Sequence, residues 1–234
     1  MSSSNPPQQL SDRDYRQFFH ELESRLSTLS HSDEAVRTIE SAVSAQFKKT
    51  SQRQIAFATP GVITIEPILY EDVLADGGIT ASEDRFFLLQ GDLVMTEAAY
   101  FMGERVAGHP LFAVLNSTCD LVPGRREYAS LLRVSPLAGS PDELKSSLYH
   151  LLSFRSRRDL YLPALPHEHP PSLGYSVRFD GVAQIRVDDL LLAHRVCSLT
   201  LVAWRIFGSF ARVLISRAGE NEARLRTKVQ PRTP

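Results

Sequence analysis

Hydrophobic positions change period several times along this 234-residue chain. Tyr15, Phe18, Phe19, Leu22 and Leu26 recur at helical spacing. Ser11 stands where an N-cap belongs. Asp12 and Asp14 fall in the first turn, where carboxylates suit the helix dipole. Ser32 or Asp33 can cap a second helix running to about Phe47. The pattern over 11–50 therefore predicts a helical hairpin. With few aromatics after Phe19, it is expected to pack on another element rather than fold alone.

The texture then turns to β. Residues 55–69, IAFATPGVITIEPIL, mix β-branched residues, alternation and turn residues, and predict strand. Residues 85–102 predict two strand-like pieces hinged at Gly91-Asp92. Residues 111–115 and 128–134 predict strands separated by a turn built on Pro123 and Gly124. Ser140 opens a helix with Pro141 at its first position and Glu143 placed for a capping box; Leu144, Leu148, Leu151 and Leu152 share one side. YLPAL (161–165) reads as extended, and YSVRFDGVAQIRV (175–187) as a hairpin around Asp180-Gly181. Residues 198–217 are the clearest helix, with Leu199, Val202, Ala203, Ile206, Phe207, Phe210, Val213 and Leu214 in phase. Arg205, Arg212 and Arg217 fall largely off that face. This helix is expected to cover the central β element or to form a dimer interface, with core packing the stronger reading.

Many short strands between helices predict the α+β class, with a small antiparallel β-barrel at the centre, an N-terminal helical hairpin and a long C-terminal helix. The expected organisation is a disordered tail over 1–10, a helical extension over 11–50, a barrel domain over 51–218 with inserted and C-terminal helices, and a polar tail over 219–234.

Composition narrows the function classes. Hydrophobic residues make up 43% of the chain, enough for a proper core. A formal net charge of −1 supplies no global field for nucleic acid, which leaves only a local basic patch in the Arg-rich C-terminal third. Cys119 and Cys197 lie in different segments without CxxC spacing, so neither a zinc ribbon nor a disulfide framework is expected. No basic-then-apolar leader pattern is visible at the start, and charges interrupt every apolar stretch well short of about 20 residues. A cytoplasmic location, no membrane partner and no cofactor or metal are the expectations.

Candidate chemistry gathers after the apolar run PLFAVL, in Asn116, Ser117, Thr118, Cys119 and Asp120. Such residues either present polar groups to a cleft or satisfy the backbone of a turn. Asp120 can bond the backbone of the Pro123-Gly124 turn or pair with Arg125 or Arg126. Cys119 is either a nucleophile, which needs a base or cation beside it, or a small buried apolar side chain, the stronger reading. His167-Glu168-His169 has two imidazoles on one side of an extended segment, but flanking prolines and the lack of further ligands favour a surface loop over a metal site. Arg155, Arg157 and Arg158 sit in FRSRRDLYL beside Phe154 and Tyr161. Arginine with aromatics suits single-stranded RNA, and a helix C-terminus explains the same cations without a ligand. Arg125 and Arg126 could extend these residues into one basic face. Arg195 and Arg205 read as structural.

Gly91-Asp92-Leu93-Val94, the run His109-Pro110-Leu111-Phe112-Ala113-Val114-Leu115-Asn116, and Val134-Ser135 together resemble the framework of the PemK/MazF toxin family over about residues 88–137. The resemblance implies a small β-barrel and a metal-independent endoribonuclease. It places His109 where the family carries an arginine and Ser135 where the family carries a threonine. In that chemistry the RNA 2′-hydroxyl attacks the adjacent phosphorus. His109 would serve as acid or base, Ser135 would hydrogen-bond the phosphate, and Arg125 or Arg126 would stabilise its charge. Asp120 and Cys119 complete the candidate set, and Arg155, Arg157 and Arg158 would hold flanking backbone. Implied partners are single-stranded RNA, a protein from the same operon, and a second copy of the chain. The alternatives are a non-catalytic interaction module of a toxin or defence system and a Cys119-dependent hydrolase. The nuclease reading requires His109, Asp120, Arg125 and Ser135 to gather around one hollow.

Overall fold

The structure is a computed structural model that describes residues 11–29, 31–68, 88–108, 110–156, 158–165 and 172–216. Within them the chain forms helices α1 (Asp12–Ser27), α2 (Asp33–Gln46), α3 (Thr50–Ala56), α4 (Thr59–Val62), α5 (Pro141–Leu152), α6 (Val187–Leu191) and α7 (Leu201–Ser216). The strands are β1 (Ile63–Thr64), β2 (Leu93–Met95), β3 (Tyr100–Phe101), β4 (Glu104–Arg105), β5 (Leu111–Val114), β6 (Tyr128–Pro136), β7 (Asp159–Leu162), β8 (Tyr175–Arg186) and β9 (His194–Leu199). The class is α+β.

Local signals set the helix starts. The Ser11 amide donates to Asp14 Oδ2 at 2.7 Å, and the Ser140 amide donates to Glu143 Oε2 at 2.8 Å. These backbone bonds, with the serine hydroxyls adding to them, hold both carboxyls below their ordinary pKa range. Helix α1 then buries Phe18, Leu22 and Leu26, and α2 buries Ala35, Val36, Ile39 and Val43. Both pack on α7, whose Val202, Ala203, Ile206, Phe207 and Phe210 are buried. Phe18 and Phe47 meet edge to face with centroids 4.6 Å apart, a favoured aromatic geometry. Among the described residues no helix is long and apolar enough to cross a membrane.

The strands form one antiparallel sheet in the order β1-β9-β2-β5-β6-β8-β3-β4, with β7 paired to β8. Adjacent residues of a strand point to opposite faces, and here both faces are buried. Leu93, Ala113 and Leu132 join the large core that includes the helices; their neighbours Val94, Phe112 and Leu131 join a second core with Val187 and Leu190 of α6. Strand β8 borders β6 along one edge; along the other it meets β7 at its start and β3 near its end.

Four expectations are corrected. The sheet is open, not a closed barrel: among the described residues its end strands β1 and β4 do not pair with each other. Residues 55–62, expected as strand, are mostly helical, in α3 and α4, which leaves only Ile63–Thr64 for β1. The stretch 175–187 is not a hairpin. Gly181 lacks the positive φ of a tight hairpin turn, and β8 continues through it, pairing with β6 on both sides of a register shift opposite Leu132/Val134. The last helix also starts later than expected, because Leu199 ends β9.

Candidate functional site

The β5–β6 pairing separates the predicted residues into two groups. Leu111 pairs with Val134 and Val114 with Leu131, so the pair has two distinct ends. Ser135 lies at the Leu111 end. Asn116 to Arg126 lie at the Val114 end, where Asn116 Oδ1 accepts the Ser130 amide at 2.6 Å. From Leu131 to Ser135 is four residues of strand, roughly 13 Å. Asp120 and Arg125 therefore do not share a hollow with Ser135. His109, Arg157 and the His167-Glu168-His169 motif lie outside the described residues, as do the tails 1–10 and 219–234.

The polar cluster after β5 largely serves the backbone. Thr118 Oγ1 accepts the Gln90 amide at 3.0 Å, and Gln90 Nε2 donates to Leu115 O at 2.8 Å. Thr118–Leu121 forms a short 3-10 turn. Asp120 Oδ1 accepts from Arg126 Nε at 3.4 Å, and Arg125 Nη1 donates to Cys119 O at 3.2 Å. Cys119 is exposed, which corrects the buried reading; its Sγ lies 3.1 Å from Ser117 Oγ, a hydroxyl and not a base. The buried thiol is Cys197, pushed up to about 12 by burial and, secondarily, by Asp92.

Gly91-Asp92 is also structural in its contacts. Asp92 is fully buried, and its carboxylate accepts from Ser198 Oγ at 2.6 Å, the Leu89 amide at 2.9 Å and Arg195 Nη1 at 3.3 Å. Burial raises its pKa, and these bonds offset only part of that rise. Arg205 pairs with Glu23 at 3.3 Å.

Ser135 opens onto a groove of about 480 Å³ between α5 and the strands β6, β8 and β7. Register places the groove's side chains. Ser135 is the partner of Ser176, and Asp159 the partner of Arg178; residues 176 and 178 alternate onto one face. Ser176 Oγ donates to Asp159 Oδ1 at 3.2 Å, and Arg178 Nε lies 3.6 Å from the same oxygen. His150 reaches the groove from the last turn of α5. Ser156 closes one wall, where its Oγ accepts the amides of Asp159 at 3.0 Å and Arg158 at 3.3 Å. Arg155 and Arg158 stand on either side of Ser156 in the chain; both are exposed, and Arg155 Nη1 donates to Tyr149 OH at 3.4 Å.

Ser135 thus shares its groove with His150, Ser156, Asp159, Ser176 and Arg178, and not with Asp120, Cys119, Arg125 or Arg126; Arg155 and Arg158 are not among the groove's lining. The residues that sequence reasoning missed are His150, Asp159, Ser176 and Arg178. Only the alternation Ser176-Val177-Arg178 hinted at an outward polar face. Among the described residues, no three His, Cys, Asp or Glu side chains are grouped closely enough to hold a metal ion.

Compared with protein-family models, with curated proteins and with solved structures, the chain finds no match in any of the three.

Proposed function

We propose that the protein binds single-stranded RNA, with the phosphate backbone seated in the groove between α5 and β6–β8–β7. The observation that carries this reading is the convergence of Ser135 and Ser176 with Arg178 and His150 on one groove, with the exposed Arg155 and Arg158 nearby in the chain. Hydroxyls and exposed guanidinium groups are the side chains that bind phosphate without reading sequence. Tyr149 is exposed beside Arg155 and offers a ring on which a base can stack. The chain's net charge of −1 confines attraction to this local cationic rim.

The catalytic form of the reading is metal-independent cleavage. The 2′-oxygen forms a bond to phosphorus, the bond from phosphorus to the 5′-oxygen breaks, and a 2′,3′-cyclic phosphate results. His150 takes the 2′-proton, water supplies the proton to the departing 5′-oxygen, Ser135 bonds the phosphate, and Arg178 offsets its charge. His150 replaces His109 as the proposed base because it lines the groove with Ser135.

The test is fluorescence polarisation with a labelled single-stranded RNA of roughly 12 nucleotides in EDTA at low salt. Binding that weakens as salt rises, and weakens in Arg178→Ala, supports the reading. No binding at about 10⁻⁴ M protein, the weak limit of non-specific affinity, overturns it. Binding without a cyclic-phosphate product discards only the cleavage step. The Cys119 hydrolase alternative has its own check: an iodoacetamide rate no faster than that of a free-cysteine peptide removes it.

A further inference from the structure

The other end of β6 and β8 carries a different surface, which the RNA reading does not use. Tyr128 is the partner of Arg186, and Tyr100 of β3 is the partner of Gln184. Beside them a tight turn joins β3 to β4 through Met102 (φ 53) and Gly103 (φ 86). Two central residues with positive φ define a turn that favours Asn-Gly. Methionine suits neither that backbone nor water, yet Met102 is 88% exposed, with Tyr100 and Tyr128 each 51% exposed. These side chains border an open groove of about 640 Å³.

Asp189 lines the groove with Arg186, Asp188 precedes it in α6, and Glu104, the partner of Phe101, lies on the other face of the β3–β4 hairpin from Tyr100. Arg105 pairs with Glu97 at 3.2 Å, and Arg186 pairs with Glu127 at 4.0 Å, so both nearby cations are matched. Glu104, Asp188 and Asp189 form no ion pair among the described residues. With both arginines matched, these carboxylates disfavour a phosphate backbone despite the tyrosine rings and suit a cationic segment whose side chains alternate between the two faces of the hairpin. Strand β4 is also the last in the sheet, so its outer edge is open to a further strand among the described residues.

We propose that this face docks an extended, cationic segment of a partner protein. Apolar side chains of that segment pack on Tyr100, Met102 and Tyr128. Its lysines or arginines lie against Glu104, Asp188 and Asp189. The proposal is independent of the RNA groove.

The experiment uses the full chain and two labelled peptides, one alternating arginine with leucine and tyrosine, the other with glutamate in place of arginine. The arginine peptide binds and the glutamate peptide does not. The double variant Glu104→Lys/Asp189→Lys weakens binding by about tenfold or more. Tyr100→Ala and Met102→Ala each weaken it severalfold, and Arg178→Ala leaves it unchanged. Unchanged melting temperatures confirm that the variants fold. Three results overturn the proposal: no arginine-peptide binding at millimolar concentration, equal affinity for both peptides, or affinity insensitive to Tyr100→Ala and Met102→Ala, which leaves charge attraction alone. Loss of single-stranded RNA binding in Tyr100→Ala/Tyr128→Ala assigns the face to nucleic acid and also overturns it.

Discussion

Arg178 and Arg186 stand near opposite ends of one strand, and each has a carboxylate beside it. Arg178 faces Asp159, whose side chain is 23% exposed; Arg186 faces Glu127, whose side chain is 65% exposed. The similarity stops there. Around Arg178 the neighbouring elements supply hydroxyls and the His150 imidazole, from β6, α5 and the turn that follows it. Around Arg186 stand two tyrosines, from β3 and β6, a methionine from the β3–β4 turn and carboxylates of β4 and α6 that form no ion pair among the described residues. The chemistry of each end is therefore set by what flanks the strands, and the register shift between β6 and β8 that separates the ends turns Val177 and Phe179 to one core and Ala183 and Ile185 to the other.

The strongest way to break this comparison is through the frame itself. Leu131 and Leu132 are both fully buried, in different cores on opposite faces of β6. Each change to alanine should cost about 2–5 kcal/mol in urea unfolding. The two costs test whether both cores support the sheet equally. A loss below about 1 kcal/mol at Leu131 would show that the smaller core, beneath the aromatic end, is dispensable.

Asp92 provides a control away from both ends. Its pKa is raised in the fold, so its contribution to stability is fully present below the ordinary carboxylate value of about 3.9 and is lost as pH rises through the raised value. Asp92→Asn should flatten this part of the stability–pH curve, measured by thermal melts from acid to neutral pH. RNA and peptide binding should remain as in the parent. A variant that keeps the parent slope would move the titration to another group.

Smaller effects sharpen the contrast. Arg178→Ala should reduce RNA affinity about threefold to tenfold and lower the salt slope by about one, as for the loss of one phosphate contact. Glu127→Gln should change stability by no more than about 0.5 kcal/mol, because its pair with Arg186 is long and exposed. It should tilt the aromatic end away from cationic peptide, read as a modest fall in affinity by polarisation.

Much of the helical part was legible because its signals are local. Ser11, Ser32 and Ser140 cap helices at the positions their spacing indicates. The misreading of 55–62 has a tertiary cause. Arg53 of α3 is buried, donates to Phe47 O at 3.0 Å and also bonds Ser153 Oγ, a hundred residues away. That contact and the packing of Ala56 and Phe57 outweigh the β-branched composition of the segment. Cys119 was misplaced because Leu121 and Val122 follow it; those two residues enter the core while the 3-10 turn leaves Cys119 outside. Ser135 was reachable through its place in a resemblance. His150, Asp159, Ser176 and Arg178 were not, because three separate segments carry them to Ser135 and nothing local marks their meeting.

The pairing of Ser135 with Ser176 in β8 has a further consequence. A single residue inserted before Ser176 would exchange the two faces along the first half of the strand, turning Val177 and Phe179 toward the groove and Arg178 toward the packed interior. The register shift opposite Leu132/Val134 separates this half of β8 from Gln184 and Arg186, so the aromatic end would keep its own pairing. An extra residue in the exposed Pro123-Gly124 turn would disturb only its own neighbourhood. Length is therefore far more constrained in this one strand than in the loops around it.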